Sequence, residues 1–562
     1  MLKIQPRPID PIVLQSLVKQ GVSPTLARLY AARGVASVEE TQARLGSLLP
    51  FESLKGIQQT AVDLADAIEA EARMLIVADY DADGATACAI GIAGLRQMGA
   101  QADFLVPNRM KHGYGLSPAI MEEAARLAPD LLITVDNGIA AIAGVDAANQ
   151  LGIPVYVTDH HLPGDQLPDA AAIVNPNQPG CSFPSKNVAG VGVMFYVLAA
   201  LRAELRRRGT YKEKPEPDLR ALLDRVALGT VADVVKLDAN NRIFVTQGLE
   251  RIRSGMGCPG IQALFQVSGR DCRKASVFDL GFMLGPRLNA AGRLDDMSVG
   301  IECLLAPSLD RALPLARQLH DLNQSRKEIE ADMQAQALSQ LSEVDCTDKH
   351  GIAVFHPDWH AGVVGILASR IKEQHHRPVI AFAPGEDGEL KGSGRSIPAL
   401  HLRDALDWVD RKHPGLMNKF GGHAMAAGLT LDANRFTEFQ AAFESVAKEW
   451  LSPEDLEEII ETDGELNAEE LNLDFARSME SGVWGQGFPA PLFEGQFKVT
   501  SQKVVGEKHL RLTVELGQQR HTMLAFFRTE LLPERFLGIY APMINEFNGA
   551  VAIQLKLHHW ES

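Results

Sequence analysis

The sequence predicts an α/β protein built on a doubly wound parallel sheet, and three observations carry the prediction. From residue 54 to residue 174 helical and strand-like patterns alternate; Gly, Pro or Asn marks most junctions; and three acidic or histidine clusters stand where apolar, strand-like runs end. The clusters are Asp79-Tyr80-Asp81-Ala82-Asp83-Gly84, Asp136-Asn137-Gly138 and Asp159-His160-His161, after runs at 74–78, 131–135 and 155–158. Open parallel sheets place their chemistry at the carboxyl ends of their strands.

Taken in order, the first fifty residues read as helical and packed alongside this domain. Its own helices are expected at 54–72, 86–98, 117–127 and 140–151, the third begun by Ser117-Pro118, an N-cap followed by proline in the first turn. Helical patterns continue through 189–208, 219–228 and 240–253 and are assigned to the same domain. Residues 309–341 read as one long helix with charges at Arg326, Lys327, Glu328 and Glu330, as expected of a helix bridging two domains. A second α/β unit opens with Gly351-Ile352-Ala353-Val354-Phe355 and runs to about Trp450. The acidic stretch 454–470 is a seam, and the short alternating segments beyond it, such as 496–499 and 510–515, read as a small β-barrel. The expected division is 1–308, 309–345, 346–451 and 452–562.

A chain of 562 residues is too long for one core, and 46% hydrophobic with 22% charged residues is an ordinary soluble composition. The six cysteines are scattered, without a Cys-x-x-Cys pair, which argues against a zinc ribbon or disulfide stapling and for a reducing cytoplasm. The first residues lack the apolar core of a signal peptide, and no stretch is apolar enough to span a bilayer. A net charge of −16 argues against a protein coated with basic surface for indiscriminate duplex binding. It leaves room for a channel with positive walls, and local basic groups occur at 109–112, 202–208 and 370–377. Arg206-Arg207-Arg208 reads as a solvated helix face, whereas Arg109 follows a strand end beside the clusters.

Carboxylates held close together repel unless divalent cations neutralise them. Oxygen ligands with one or two imidazoles suit magnesium or manganese, and no thiolate lies near enough in sequence to argue for zinc. The natural reading is a two-cation phosphoryl-transfer centre, with ions about 3.5 to 4 Å apart, hydrolysing a phosphate ester or anhydride. Taken alone, Asp136 before Asn137-Gly138 is a turn or cap residue; the conjunction of clusters at successive strand ends is what points to metal.

The three clusters, with Gly229-Thr230-Val231-Ala232-Asp233, resemble the four motifs of the DHH phosphoesterase superfamily. Leu284-Gly285-Pro286-Arg287-Leu288-Asn289-Ala290-Ala291-Gly292-Arg293, Lys391-Gly392-Ser393-Gly394-Arg395-Ser396 and Gly421-Gly422-His423-Ala424-Met425-Ala426-Ala427-Gly428 extend the likeness to its bacterial single-strand-specific 5′→3′ DNA exonucleases, over essentially the whole chain. The resemblance implies a DHH doubly wound parallel-sheet domain, a long helix, a DHHA1 α/β domain and a C-terminal OB-fold β-barrel. It implies two divalent cations, Mn2+ or Mg2+, with Asp81 and Asp83 ligating one ion each, Asp136 bridging both, and His160 and Asp233 completing the second. Asp79 or a water fills the remaining place. His161 would stabilise charge developing on the phosphate, and Asp159 would orient an imidazole. Arg109, Arg287, Arg293, Ser393, Arg395, Gly422 and His423 are the candidates for binding phosphate and DNA. Glycine-rich turns and tight packing account for the last segments nearly as well. The implied setting is recombination and repair on single-stranded DNA, with a single-strand-binding protein and a helicase as partners and the chain as a monomer. A small-substrate phosphodiesterase and a catalytically silent single-strand-binding scaffold are the alternatives; the C-terminal barrel argues against the first and the intact acidic set against the second.

Overall fold

The apolar runs form a fully parallel five-stranded sheet in the computed structural model, which describes residues 2–108, 112, 115–342, 349–385, 388–422, 424–467, 469–547 and 550–561. Its strands are β1 (Arg73–Ala78), β2 (Gln101–Leu105), β3 (Leu131–Val135), β4 (Val155–Thr158) and β5 (Ala172–Val174). The order is β2-β1-β3-β4-β5, so the winding reverses between β1 and β3, and a crevice opens at their carboxyl ends. Met74 to Ala78 and all of β3 and β4 are buried, because helices cover both faces.

The helix after β1, Ala82–Gln97, is buried almost throughout and packs on Gly190–Arg208 and Leu223–Ala232. It starts at Ala82 rather than at 86 because Asp81 caps it, accepting the Gly84 N–H at 2.9 Å. That early start moves Asp83 out of a loop and into a rigid first turn.

The sheet belongs to a unit comprising Pro6–His320 and Glu461–Ser562; a second unit comprises Met1–Gln5 and Asp321–Ile460. The chain opens with a strand, Leu2–Pro6, paired with Glu458–Thr462, where the sequence suggested helix. The helices Pro11–Lys19, Pro24–Ala31 and Val38–Gln42 follow. Leu29 shares a core with Phe493, Phe497, Phe536 and Tyr540 of the C-terminal barrel. Arg33 forks onto Asp463 at 2.7 and 2.9 Å, both side chains buried. The N-terminal helices are thus fastened to the barrel, a contact that sequence periodicity does not reveal. The barrel strands Phe493–Val505, His509–Leu516, Gln519–Ala525, Arg535–Phe547 and Ala550–Glu561 close on themselves and leave no free edge.

The other unit holds the five-stranded sheet of Ile352–Phe355, Val379–Pro384, Glu389–Arg395, Lys419–Gly422 and Ala426–Asp432. Side chains alternate along Val379–Pro384 as a strand requires. Ile380 and Phe382 enter one core with the helices Leu402–Lys412 and Phe436–Trp450, while Val379, Ala381 and Ala383 enter another with Val364–His375. Trp359 is buried in that second core with Met333 of the long helix Leu309–Ser342, so it is a packing residue. Arg370 pairs with Glu330, and Arg377 donates to the Lys349 carbonyl, which ties both to their own unit. Among the described residues no helix is long and apolar enough to cross a membrane.

Candidate metal centre

Carboxylates from β1, β3 and two helices meet at the switch point. Asp79 continues β1, its N–H reaching the Val135 carbonyl at 3.2 Å, and Asp81 is the helix cap. Asp83 is fixed by the start of Gly190–Arg208: its two oxygens accept the N–H groups of Gly190 at 2.6 Å and Val191 at 2.9 Å. Asp136 leaves β3 with φ +62°, a left-handed backbone that costs a non-glycine residue about 1 to 3 kcal/mol. Its N–H is held by the Thr158 carbonyl at 3.0 Å. Gly190 is required beside it, since a Cβ there would lie 2.6 Å from Asp136 Oδ1 and 2.8 Å from Cγ. Asp233 arrives from the C-cap of Leu223–Ala232, a helix end rather than a strand end.

Ligand atoms of Asp79, Asp81 and Asp136 fall within 4.8 Å of one another, as do those of Asp83, His160 and Asp233, and those of Asp136, His160 and His161. His160 Nε2 joins the sets, 3.1 Å from Asp136 Oδ1, 3.5 Å from Asp233 Oδ2 and 3.9 Å from Asp83 Oδ2. The arrangement is two adjoining oxygen-rich cradles with Asp136 and His160 between them.

Burial, and then the charge of its neighbours, pushes the carboxyls of Asp79, Asp136 and Asp233 well above the usual range, and that of Asp83 up to about 7. Four carboxylates packed against their own electrostatics form a site that divalent cations relieve. Oxygen donors with an imidazole and no thiolate match magnesium or manganese. Asp159 is turned the other way. Its Oδ1 accepts the N–H groups of His160 and His161 at 2.7 and 3.1 Å and contacts His161 Nδ1 at 2.7 Å, while Oδ2 accepts the Ile139 N–H at 2.9 Å. Burial would raise the Asp159 carboxyl, but the His161 bond and the two histidine charges hold it below its ordinary value. Burial works against charge on His161; the bond to Asp159 and the pull of Asp159, Asp233 and Asp79 outweigh it and lift the imidazole to about 9.

Four asparagines to which the sequence reading assigned no role frame the centre. Asn137 ties the ends of β1 and β3 by donating to the Val77 and Val135 carbonyls at 3.1 and 2.9 Å. Asn175 and Asn177 hold the carbonyls of His161 and His160 at 2.9 and 2.6 Å. Asn289 accepts the Ala82 N–H at 2.8 Å, docking the helix Gly285–Leu294 onto the first cluster. Asn beside Asp136 and the run Asn175-Pro176-Asn177 were the available signals, but Asn at a turn has many local uses.

The remaining candidates are distributed otherwise. Arg109 and His423 lie outside the described residues. Arg287 is buried, with its guanidinium on the Met283 carbonyl and 3.1 Å from His320 Nδ1. Arg293 is half-buried on the same helix. In the other unit, Arg395 Nη1 reaches Ser393 Oγ at 3.2 Å on one strand, and a Cβ at Gly365, in the first turn of Val364–His375, would lie 2.8 Å from that hydroxyl and 3.1 Å from Arg395 Nη2. A guanidinium, a hydroxyl and a helix N-terminus therefore converge there. Gly422 ends its strand at φ +147°.

Two adjoining oxygen-rich cradles at the switch point of a doubly wound sheet fit a metal-dependent phosphoesterase. The model of the DHH family N-terminal domain matches residues 73–230, that of the DHHA1 domain 348–449, and that of the RecJ OB domain 462–559. The chain is 53% identical over 548 residues to a protein of Dickeya dadantii named single-stranded-DNA-specific exonuclease RecJ, covering 95% of each. It is 50% identical over 546 residues to the Escherichia coli protein of that name, again covering 95% of each. It therefore belongs to the RecJ family. Among solved structures it resembles RecJ of Thermus thermophilus in complex with Mn2+, at a TM-score of 0.85 and 29% identity, covering 100% of this chain and 80% of that one. The same protein in complex with Mg2+ matches with a TM-score of 0.79 at 27% identity, covering 100% of this chain and 78% of that one.

Proposed function

We propose that this protein degrades single-stranded DNA from a 5′ end, hydrolysing phosphodiester bonds with two divalent cations and releasing nucleoside 5′-phosphates, in recombination and repair. The observation that carries the reading is the meeting of the Asp79/Asp81/Asp136 and Asp83/His160/Asp233 cradles, with His160 Nε2 3.1 Å from Asp136. Membership of a family whose curated members are named single-stranded-DNA-specific exonucleases supplies the substrate class. Mn2+ or Mg2+ bound there would supply Lewis-acid charge and activate a water for attack on phosphorus.

The chain's own residues do the rest. Asp136 bridges the cradles, with its carboxylate lodged against Gly190. His161, kept protonated by Asp159, offers a charged N–H to the phosphate oxygens as negative charge accumulates. Asp159 touches no substrate in this scheme and acts by positioning. Ser393 and Arg395, with the start of Val364–His375, hold a terminal phosphate through a fork and a hydroxyl, and Arg109, Arg287, Arg293, Gly422 and His423 stay with them as DNA-binding candidates. The OB-fold tracks the incoming backbone with little sequence preference. We assign residues 1–308 to the catalytic part, 309–345 to the connecting helix, 346–451 to the DHHA1 domain and 452–562 to the OB-fold region. A cytoplasmic monomer working with a helicase and a single-strand-binding protein completes the proposal.

The test is degradation of one long single strand labelled at its 5′ or 3′ end, beside its blunt duplex, with Mn2+, Mg2+ or chelator. Immediate metal-dependent release of 5′ label as mononucleotide, with 3′ label late and duplex intact, is expected. Tight binding without cleavage, or cleavage confined to very short oligonucleotides, overturns it.

A further inference from the structure

The loop that follows Asp233 is strained and held from outside the catalytic sheet. Val234 has φ +62°, a conformation that β-branched residues rarely adopt, and the residue is 62% exposed, so its own packing contributes little to holding it. Three residues on, the chain meets the segment Trp484–Phe488, which precedes the barrel strands. The Leu237 N–H donates to the Gln486 carbonyl at 2.8 Å. Gly487, at φ +66°, lies so close to Lys236 that a Cβ would come within 2.4 Å of its Cγ, and a Cβ on Gly485 would fall 2.8 Å from Leu237 Cδ1. The buried Arg242 completes the clasp: its guanidinium stands 4.3 Å over the Phe488 ring and donates to the Leu237 carbonyl at 3.1 Å. Phe488 stacks on Trp484 at 5.3 Å and 10°, and Arg33 lies 5.2 Å over Trp484.

We propose that Trp484–Phe488 is a strut by which the OB region positions Asp233, so that this domain completes the second metal cradle as well as handling DNA. The contacts run without a break from Arg33 through Trp484, Phe488 and Arg242 to Leu237, four residues from the Asp233 carboxylate. Asp233 sits at a helix C-cap with a strained residue after it; without the clasp the loop relaxes and the carboxylate leaves His160. Phe488 and Arg242 are positioning residues in this scheme. The inference rests on Asp233 being a metal ligand, and the experiment separates the two ideas.

Mn2+ alone is titrated into the full chain, with binding followed calorimetrically and by the paramagnetic signal of the bound ion. Phe488→Leu keeps apolar bulk but removes the ring under Arg242; Gly487→Ala pushes Lys236 from the other side; Phe488→Tyr keeps the ring. Asp233→Asn is the reference. We expect Asp233→Asn to weaken one of two sites strongly, Phe488→Leu and Gly487→Ala to weaken that same site about 10-fold, the loss typical when a supporting contact behind a ligand is removed, and Phe488→Tyr to bind as the native chain. Thermal unfolding of each variant separates a local from a global effect: a weakened site in a chain that still melts cooperatively supports the strut. Native Mn2+ affinity in both Phe488→Leu and Gly487→Ala, with the site weakened in Asp233→Asn, overturns the strut and spares the metal assignment. Native affinity in Asp233→Asn overturns the assignment and the strut with it.

Discussion

Replacing Gly190 by alanine tests how tightly the centre is built. The added Cβ would stand 2.6 Å from Asp136 Oδ1, whereas ordinary contact begins at 3.4 Å, so something must move by about 0.8 Å. The helix start is poorly placed to yield, because the N–H groups of residues 190 and 191 hold Asp83. Asp136 is the freer partner, although its backbone is tied to Thr158. Either movement displaces a cradle carboxylate. A misplacement of this size costs about 100-fold in rate, and the overpacking costs about 1 to 3 kcal/mol of stability. The assay is the initial rate of nucleotide release from 5′-labelled single-stranded DNA at saturating Mn2+, with calorimetric unfolding of the same sample. Gly192→Ala is the control: its Cβ would meet Val188 Cγ1 at 2.6 Å and Phe244, away from the carboxylates, so it should lose stability but retain rate. Native turnover in Gly190→Ala, or equal rate loss in both variants, refutes the reasoning.

Other perturbations follow from the same structure. Mn2+ at 100 times its dissociation constant should raise unfolding stability by about 2.7 kcal/mol for each occupied site, and a melting temperature unchanged between Mn2+ and chelator would remove the metal reading. In chelator, stability should rise as pH falls from 7 toward 5, because Asp83 takes up its proton near 7 when folded and only near 3.8 when unfolded; Asp83→Asn should flatten that rise, measured by urea titration across the interval. Arg33→Ala removes the fork on buried Asp463, which keeps Arg7 at 3.0 Å and the Leu492 N–H at 3.0 Å, and should cost about 1.5 to 3 kcal/mol, read by denaturant unfolding; a loss under 1 kcal/mol would show that the N-terminal helices are not fastened as described.

How much of this was legible beforehand differs by element. The alternation from 54 to 174 revealed the parallel sheet because strands buried on both faces read as unbroken apolar runs, and period and turn chemistry are local properties. The acidic clusters were equally legible, since Asp and His at successive strand ends converge in any doubly wound sheet. The start of the helix at Ala82 was missed because capping by Asp81 extends a helix beyond its apolar periodicity. Leu2–Pro6 read as part of a helical segment, yet its partner strand, Glu458–Thr462, lies far along the chain, between the second α/β unit and the barrel.

By itself, then, the sequence determined which acidic and histidine clusters stand at strand ends and most of the sheet, helix and barrel stretches, because those follow from side-chain type and short-range pattern. Tertiary structure alone decided that Asp159 divides its oxygens between His161 and the Ile139 N–H, that Gly190 makes room for Asp136, and that Trp484–Phe488 clasps the loop after Asp233. Each of these depends on the distance between atoms far apart in the chain. That distance is set by packing of whole elements, which no local pattern encodes.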